Sequence, residues 1–580
     1  MNTKIYKPIK NRVVCRLVMV VGVLIGCLSN VMAGVKIVVL TDLHTMAPEL
    51  LVSGGTAWDN YLASDRKLVD YSRELLNAAV SKIKNDIRPD AVLVTGDLTK
   101  DGEVLSHQYL WARLTQLVDA GIKVSVIPGN HDFGTGNAKY YDGDNTSNAE
   151  VLSRSEFASM YADCGYKGVK RDPNSLSYCR ELFPGLAVIG IDSGADGAIS
   201  EASLSWIEGQ AKECYQKGKQ VIAMIHHPLV PHFQGSDTFM PVSYLSDYEN
   251  VRNRLADAGV RMVLTGHFHT SDIATDFNAD LSKSIIDVNT GSLVTYPCHY
   301  RVLEFSDDML SVSVSTGSIT EIEGVVDFPS VAKERLRTAV KTLVNSMGKA
   351  YSTMASTIAD AFIYHAEGDE DQNSDAQSKL STLLSAANLA RMTGAIEESK
   401  IAAMELLGKT MLGNICNYGI SGRQTITRDL SLPVQLNPLS ESVFIGNSGW
   451  ATFVSDRYLD FSSAAGLDAF IATGKDGGDI RLESIGVVPP MTGILLRGSE
   501  GSYNVSVTDK DALSVTKNVL VGSLSAVVPP VGSYVLSKKN GIVGFYKLSN
   551  GIEMPAGKAY IPSNSTRATM RSIRIQDNMR

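Results

Sequence analysis

The sequence predicts an α/β domain in its first half, followed by a helical region and then a β-rich region. Between residues 34 and about 320, short apolar runs alternate with amphipathic stretches, which is typical of layered α/β domains. From residue 336 to 362, apolar residues recur every three or four positions, as on one face of a helix. From about residue 430, short β-prone segments separated by Gly and Pro replace the helical pattern.

Length and composition limit the class of protein. The chain has 580 residues, which is enough for two to four domains of ordinary size. Hydrophobic residues make up 44% and charged residues 20%, so the composition excludes global disorder and a polytopic membrane protein. A net charge of −8 argues against a surface that grips nucleic acid. Seven Cys are too few for a disulfide scaffold.

Residues 1–33 predict a secretory signal peptide that is cleaved after Ala33. The apolar run Leu17–Leu28 follows a basic start formed by Lys4, Lys7, Lys10, Arg12 and Arg16. An uncleaved anchor is one alternative, although the run is short for a membrane span. A lipoprotein is another, because Leu24–Cys27 resembles a bacterial lipobox with Cys27 as the lipidated residue. We expect an exported protein that is periplasmic, secreted or held at the cell surface. Loss of the leader makes the net charge five units more negative.

Residues 34–322 form the predicted α/β domain. Its buried strands are predicted at Val35–Leu40, Ala91–Thr95, Val124–Ile127, Leu186–Ile191, Val221–Ile225 and Met262–Thr265. Helices are predicted between them at Ser64–Asn85 and Ser200–Lys217.

Two smaller regions follow this domain. Residues 328–425 predict a helical appendage, in which one long helix is capped by Ser330 and continues to Phe362. Residues 430–580 predict a small all-β module. Asn540-Gly541 indicates a type I′ hairpin there, and Asn550-Gly551 repeats the signal.

Five short motifs in the first domain carry the chemistry. Each directly follows a predicted strand: Asp42-Leu43-His44, Gly96-Asp97, Gly129-Asn130-His131-Asp132, His226-His227 and Gly266-His267-Phe268-His269. Because loops at the carboxyl ends of parallel strands meet at one edge of a sheet, we expect these side chains to converge. Six of the ten His residues lie in these motifs, and buried Asp is rare unless it is paired or binds a metal.

The types of side chain in the motifs predict the class of metal. Carboxylates and imidazoles without thiolates suit Fe, Mn, Zn, Co or Ni. About seven candidates are too many for one tetrahedral zinc ion. They suit two divalent cations that share a bridging carboxylate.

The ordered set of motifs resembles the calcineurin-like metallophosphoesterases over residues 35–310. The segments 96–107, 129–132 and 171–178 are more closely similar to exported bacterial class III cyclic-nucleotide phosphodiesterase-like proteins. The resemblance implies a four-layer αββα sandwich. It also implies two metal sites, the first held by Asp42, His44 and His269, and the second by Asn130, His226 and His267.

The same resemblance implies roles for the remaining motif residues. Asp97 bridges both metals, and His131 faces the substrate as a general acid. Asp132 orients its loop by hydrogen bonding, as carboxylates behind metal ligands do. His227 and His232 are weaker candidates, either behind the ligands or facing the substrate.

The implied activity is hydrolysis of a phosphodiester, such as a cyclic nucleotide, by a metal-bridging hydroxide. A phosphomonoesterase or nucleotide pyrophosphatase with the same site is one alternative, and a non-catalytic surface binding protein is another. The expected partner is a small phosphorylated substrate such as a nucleotide, without a nucleic-acid grip and with membrane contact only through a lipid on Cys27. We expect the segments Phe133–Tyr166 and Val230–Tyr248 to wall the pocket.

Overall fold

The computed structural model describes most of the chain after residue 33. The described ranges are residues 34–232, 244–346, 355–368, 433–476, 479–563 and 572–575, together with 424–426 and isolated helical residues between 352 and 405. The predicted signal peptide, including Cys27, lies outside the described residues. Of the helices that are described, none has the length and apolar character needed to cross a membrane.

Strands and helices alternate through the first half of the chain. The strands are β1 (Lys36–Leu40), β2 (Leu51–Ser53), β3 (Ala91–Thr95), β4 (Lys123–Ile127), β5 (Lys139–Asp142), β6 (Asn145–Asn148), β7 (Lys170–Arg171), β8 (Tyr178–Phe183), β9 (Leu186–Ile191), β10 (Gln220–Ile225), β11 (Val260–Thr265), β12 (Asp272–Phe277), β13 (Ser284–Asn289), β14 (His299–Phe305) and β15 (Ser311–Ser318). The helices are α1 (Thr56–Ser64), α2 (Ser72–Lys82), α3 (Val104–Asp119), α4 (Arg154–Met160), α5 (Glu201–Gln216) and α6 (Tyr248–Asp257).

Two sheets form the centre of this domain. The first has the order β17-β15-β14-β1-β3-β4, where β17 is Val434–Gln435. The second has the order β16-β12-β13-β11-β10-β9-β8-β7, where β16 is Gln424–Ile426. Pairing is parallel from β1 through β3 to β4, and from β9 through β10 and β11 to β13. Residues 434–435 therefore add an edge strand to the first sheet, and residues 424–426 add one to the second.

The alternation of side chains along β10 shows how the layers pack. Ile222 and Met224 point into a core shared with the first sheet, whereas Val221, Ala223 and Ile225 pack against α5 and α6. Helices α2 and α3 cover the other face of the first sheet. The order is helix, sheet, sheet, helix, which confirms the predicted αββα sandwich.

The strand predictions agree with the structure within two residues at either end. The predicted helix over Ser64–Asn85 is wrong at its start, because α1 ends at Ser64 and α2 begins only at Ser72. The Asp65 carboxylate accepts a hydrogen bond from the Lys67 amide at 3.0 Å, and the Leu68 amide donates to the Val294 carbonyl. These contacts take backbone donors away from a continuing helix.

The predicted long helix is also wrong, because the described residues of this stretch form two helices that pack against each other. They are α7 (Phe328–Ser346) and α8 (Ala355–Glu367). Apolar residues of α7, including Leu336 and Val340, pack against Ile358 and Ile363 of α8. The period of 3.6 residues is the same in one helix and in two that fold back on each other, so the pattern alone could not separate them. Most of residues 369–423, where the helical appendage is predicted to continue, lies outside the described part of the chain.

The last region is β-rich, as predicted. Its strands are β18 (Ser440–Ile445), β19 (Trp450–Phe453), β20 (Leu459–Asp460), β21 (Leu467–Asp476), β22 (Asp479–Ser484), β23 (Val487–Val488), β24 (Ile494–Gly498), β25 (Gly501–Val507), β26 (Val521–Ser523), β27 (Tyr534–Lys539), β28 (Ile542–Lys547), β29 (Lys558–Tyr560) and β30 (Ser572–Ile575). Asn540 and Gly541 both have positive φ, at 50° and 78°, and join β27 to β28 in the predicted hairpin. The expectation for Asn550-Gly551 is wrong, because neither residue has positive φ and no strand follows directly.

Candidate metal centre

All five motifs lie at the carboxyl ends of parallel strands. Asp42 follows β1, Asp97 follows β3 and Asn130 follows β4, all in the first sheet. His226 follows β10 and His267 follows β11 in the second sheet. The two sheets present these ends side by side, so the motifs meet where the sequence predicts.

The first group of side chains contains Asp42, His44 and His269. The Nε2 atoms of the two imidazoles lie 3.3 Å apart, and the His269 Nε2 lies 3.2 Å from Asp42 Oδ1. All three side chains are buried. Asp42 Oδ1 has no hydrogen-bond partner among the described atoms, and a buried carboxylate oxygen without a partner is costly. This donor set fits a divalent cation.

The second group contains Asn130, His226 and His267. Asn130 Oδ1 lies 3.0 Å from His226 Nε2 and 2.9 Å from His267 Nδ1. The two ring nitrogens lie 3.2 Å apart. An amide oxygen and two imidazole nitrogens that point at one place also fit a divalent cation.

Asp97 lies between the two groups. Its Oδ2 is 3.6 Å from His44 Nε2 and 3.3 Å from His226 Nε2. Its Oδ1 accepts a hydrogen bond from the His131 amide at 2.8 Å. One oxygen of the carboxylate therefore faces both groups, while the other fixes the side chain.

Hydrogen bonds behind the imidazoles determine which nitrogen is available. His226 Nδ1 lies 2.9 Å from the Thr95 carbonyl, which only accepts, so Nδ1 carries the proton and Nε2 faces the site. His269 Nδ1 lies 2.9 Å from the Thr295 hydroxyl, which leaves its Nε2 toward Asp42. Such partners behind a ligand orient the ring and define its tautomer.

The ionisation of Asp97, His44 and His267 also suits a cation. At His226, burial lowers the pKa, but the Asp97 carboxylate outweighs burial and raises the pKa to about 9. Burial raises the pKa of the Asp97 carboxyl, but the charges on His226 and His131 outweigh it, so the pKa falls well below its usual range. Burial lowers the pKa of His44 and of His267 well below the usual value, which keeps both rings neutral. Ionised carboxylates and neutral imidazoles are the forms that bind metals.

The backbone of the site is held in an uncommon conformation. Positive φ angles between 37° and 71° occur at Asp42, His44, Asp97, His267 and His269. Left-handed conformations at residues other than glycine are unfavourable and concentrate at functional sites. They aim the side chains of consecutive motif positions into one volume.

Two glycines allow the motifs to approach one another. A Cβ added to Gly129 would lie 2.3 Å from the Asp97 amide nitrogen and Oδ1. A Cβ added to Gly266 would lie 2.0 Å from the Thr41 hydroxyl and 2.6 Å from Asp42 Oδ2. No larger residue fits at either position without moving a candidate ligand.

Comparison with known proteins agrees with this geometry. Residues 35–271 match the family model of the calcineurin-like phosphoesterases. These residues form a calcineurin-like metallophosphoesterase domain. The domain has the mixed α/β fold of that family.

Individual relatives cover only part of the chain. A probable cyclic nucleotide phosphodiesterase of Rhodococcus erythropolis is 30% identical over 41% of this chain and 65% of its own length. A probable glycerophosphodiester phosphodiesterase of Arcobacter nitrofigilis is 32% identical over 30% of this chain and 55% of its own length. The chain thus spans less than two thirds of either relative. A crystal structure of a dimetal phosphatase from Danio rerio is 15% identical with a TM-score of 0.37, covering 49% of this chain and 96% of that one.

His131 of the metallophosphoesterase domain lies at the rim of the cluster. Its ring centroid is 4.8 Å from that of His44, and its side chain is 25% exposed. Its Nδ1 lies 2.8 Å from the Lys100 carbonyl and 3.1 Å from Asp101 Oδ1, so Nδ1 donates, and the His131 side chain lines the cleft. Burial lowers the pKa of His131, but Asp97 and Asp101 outweigh it and the net pKa is raised.

Asp101 is a residue of this site that sequence reasoning missed. It accepts hydrogen bonds from His131, from the Lys100 ammonium and from the Thr135 hydroxyl at 2.8 Å. Burial raises its pKa, but the hydrogen bonds from His131 and Lys100 outweigh it and bring the pKa to about 2. Its position four residues after Asp97, on a loop that leaves a buried strand, is the signal that could have indicated it.

The weaker candidates lie behind the cluster. Asp132 accepts hydrogen bonds from the Leu98, Thr99 and Gly129 amides and so joins two ligand loops. His227 is buried, its Nδ1 lies 2.8 Å from the Ser193 hydroxyl, and its ring lies 4.6 Å from that of His267.

His232 lies outside the cleft. It is buried with Nε2 3.3 Å from Asp287 Oδ2, behind Phe268. None of the three weaker candidates, Asp132, His227 and His232, belongs to the cleft lining that the described residues form.

A cleft of about 380 Å³, partly open to solvent, lies in front of the cluster. Its lining includes Asp97, Asn130, His131, His267, Phe268 and His269. The rest of the lining comes from residues 65–67 and from α7 and α8. The expectation that Phe133–Tyr166 walls the pocket is therefore wrong, because none of these residues is in the lining. Residues 233–243, the greater part of the other expected wall, lie outside the described residues.

Proposed function

We propose that the protein is an exported, metal-dependent phosphodiesterase with two divalent transition-metal ions of the Fe, Mn or Zn class. Asp42, His44 and His269 would hold one cation, and Asn130, His226 and His267 the other. Asp97 would bridge them.

The position of Asp97 carries this proposal. Its Oδ2 faces an imidazole from each group at 3.6 and 3.3 Å, and the carboxylate is buried and ionised. A buried carboxylate stays ionised only where positive charge lies beside it, and this one is surrounded by atoms that can bind metals. Two cations that share this carboxylate supply that charge.

The residues of the chain have distinct tasks in the proposed reaction. Bound cations supply positive charge for the phosphate and lower the pKa of water enough to provide a nucleophile near neutral pH. Asp97 holds the two cation sites at a fixed separation. His131, protonated at Nδ1 and held by Asp101, places Nε2 at the cleft, where an imidazolium can donate a proton to the leaving oxygen.

The preference for diesters rests on the relatives. Two proteins that the chain resembles are named probable cyclic nucleotide phosphodiesterase and probable glycerophosphodiester phosphodiesterase. We therefore place small phosphodiesters, such as a cyclic nucleotide, ahead of monoesters and pyrophosphates. The cleft volume is in the range of sites that bind such small molecules.

The experiment is hydrolysis of a substrate panel by purified protein. The panel contains cyclic nucleotides, linear diesters, monoesters and nucleotide pyrophosphates, assayed before and after chelation and after return of Mn²⁺, Fe²⁺ or Zn²⁺. We expect diesters to have the highest kcat/KM, loss of activity on chelation and recovery with metal. Monoester preference would favour the alternative enzyme class. No hydrolysis of any substrate by metal-loaded protein would contradict the proposal.

A further inference from the structure

The cleft has two chemically different sides. One side carries the ligand cluster together with His131, and it is polar. The facing side includes Val340 and Leu343 of α7 and Phe362 of α8, and it is apolar. Leu343 is 57% exposed, although a large apolar side chain on a helix usually packs inward. The helical appendage thus presents an apolar surface to the candidate metal centre.

The two helices are fixed to the loops that carry the site. Arg335 of α7 makes a bidentate ion pair with Asp70, with N–O distances of 3.1 and 2.8 Å. The Tyr296 hydroxyl donates to Glu367 of α8 at 2.6 Å. Tyr296 follows Thr295, whose hydroxyl contacts His269. The apolar wall is therefore positioned by the same segments that position a candidate ligand.

A cationic edge joins the two sides. Arg66 and Lys67 lie on the loop between α1 and α2, and both line the cleft. Lys67 Nζ is 3.5 Å from Asp65 Oδ2. Among the described residues, the Arg66 guanidinium makes no hydrogen bond or ion pair, and it interacts electrostatically with Asp65 and Asp42. A planar guanidinium at this position is well suited to a phosphate oxygen.

We infer that the helical pair α7–α8 determines substrate specificity, and that the cleft selects diesters with one apolar or flat aromatic substituent of about nucleoside size. Phosphate oxygens contact the polar side and Arg66, while the substituent contacts Leu343 and Phe362. The inference rests on the proposed function, because it names the substrate class of the same site. A small polar substituent buries little apolar surface against this wall, so larger apolar substituents bind with a more favourable free energy.

Two diesters with the same leaving group test the inference. The p-nitrophenyl ester of thymidine 5′-phosphate and methyl p-nitrophenyl phosphate both release p-nitrophenolate, so the ratio of their kcat/KM values reports the other substituent. In the metal-loaded full-length protein we expect this ratio to favour the nucleoside. Leu343→Asn, a neutral change of similar size at an exposed position, should lower the ratio about tenfold. Leu389 is 61% exposed in the same helical region and is not in the cleft lining, so Leu389→Asn is the matched control and should leave the ratio unchanged.

Arg66→Gln distinguishes phosphate binding from recognition of the substituent. It should lower kcat/KM for both diesters about tenfold, with little change in the ratio, because both contain the same phosphate. Arg66→Lys should recover part of the loss. The inference would be overturned by an equal change of the ratio in Leu343→Asn and Leu389→Asn, or by a wild-type ratio near one. Neither result would contradict the proposed phosphodiesterase activity. Failure of the wild type to hydrolyse either diester would instead contradict the proposed function.

Discussion

His131 is positioned by acceptors on one ring nitrogen only. The Lys100 carbonyl and the Asp101 carboxylate both engage Nδ1, at 2.8 and 3.1 Å. The side chain lines the cleft. This arrangement suits a proton donor to the leaving group and gives no reason for Nδ1 to bind a metal.

His131→Ala should therefore lower kcat by about 10²- to 10⁴-fold, the usual contribution of a general acid. Metal content, measured by inductively coupled plasma mass spectrometry, should stay as in the wild type. His131 also lies within ligand distance of His44 and Asp97. An equal loss of metal and activity would make it a ligand and contradict the assignment.

Asp101 acts through His131 and is a positioning residue. Asp101→Asn should lower kcat by about tenfold without loss of metal, because the ring loses its ionised partner. In the His131→Ala background the same change should have little further effect, since residues that act as one unit are not additive. Full additivity in the double variant would contradict the coupling.

Substitution of Gly129 tests whether two motifs need their close approach. Gly129→Ala would place Cβ 2.3 Å from the Asp97 amide nitrogen and Oδ1, so Asp97 must move. We expect loss of bound metal together with activity. Gly209, on α5, has open space around its Cβ position. Gly209→Ala should keep the metal and, as a helix substitution, increase the free energy of unfolding by up to about 1 kcal/mol. Equal metal content in both variants would show that Asp97 is not constrained in this way.

At the scale of elements, the strands were the most predictable part of the chain. Buried parallel strands are continuous apolar runs, and both Ala91–Thr95 and Leu186–Ile191 are predicted to the residue. Because each motif follows such a strand, the sequence also predicts that the candidate ligands converge. The interruption of the helix over Asp65–Tyr71 could not be predicted, because side-chain contacts that end the helix have no periodic signature.

Helix α3 contributes to the site through His107. His107 Nε2 donates to the Asp132 carbonyl at 3.0 Å, and Nδ1 accepts from the Tyr161 hydroxyl at 2.9 Å. Burial lowers the pKa of this His to about 4. The unfolded chain, with a pKa near 6.5, therefore binds a proton that the folded protein excludes. Stability is full above about pH 6.5 and decreases as the pH falls toward 4.

Comparison with His107→Gln isolates this contribution. Glutamine does not titrate and keeps a donor for the carbonyl. When the pH falls from 7 to 5, the wild type should lose about 2 kcal/mol of unfolding free energy relative to the variant. Urea unfolding at the two pH values measures it. A difference that does not depend on pH would contradict a neutral, buried His107.

At the scale of the whole molecule, the appendages are connected to the metallophosphoesterase domain more closely than the sequence suggests. Strands β16 and β17 extend its two sheets, and α7 and α8 complete its cleft. Such contacts join residues more than a hundred positions apart, and an edge strand of two or three residues carries almost no pattern. The sequence alone therefore indicates the ligands but not the wall that faces them.

Export is a further prediction for the whole chain. The leader is expected to end at Ala33, so protein expressed from its full-length gene should have Gly34 as its N-terminus. Mass spectrometry of the intact protein from the cell envelope and medium measures this. A lipid on Cys27 would indicate the lipoprotein alternative. Retention of Met1 in the cytoplasm would contradict export.

Two cations are proposed to share Asp97, and the number of metal ions bound per chain is the decisive measurement. Elemental analysis of the purified wild type, combined with the chain concentration, should give two divalent transition-metal ions per chain. Asp97→Ala should lose metal from both sites, whereas His269→Ala should weaken one site first. One ion or none per chain in fully active wild type, or two ions retained in Asp97→Ala, would contradict the account.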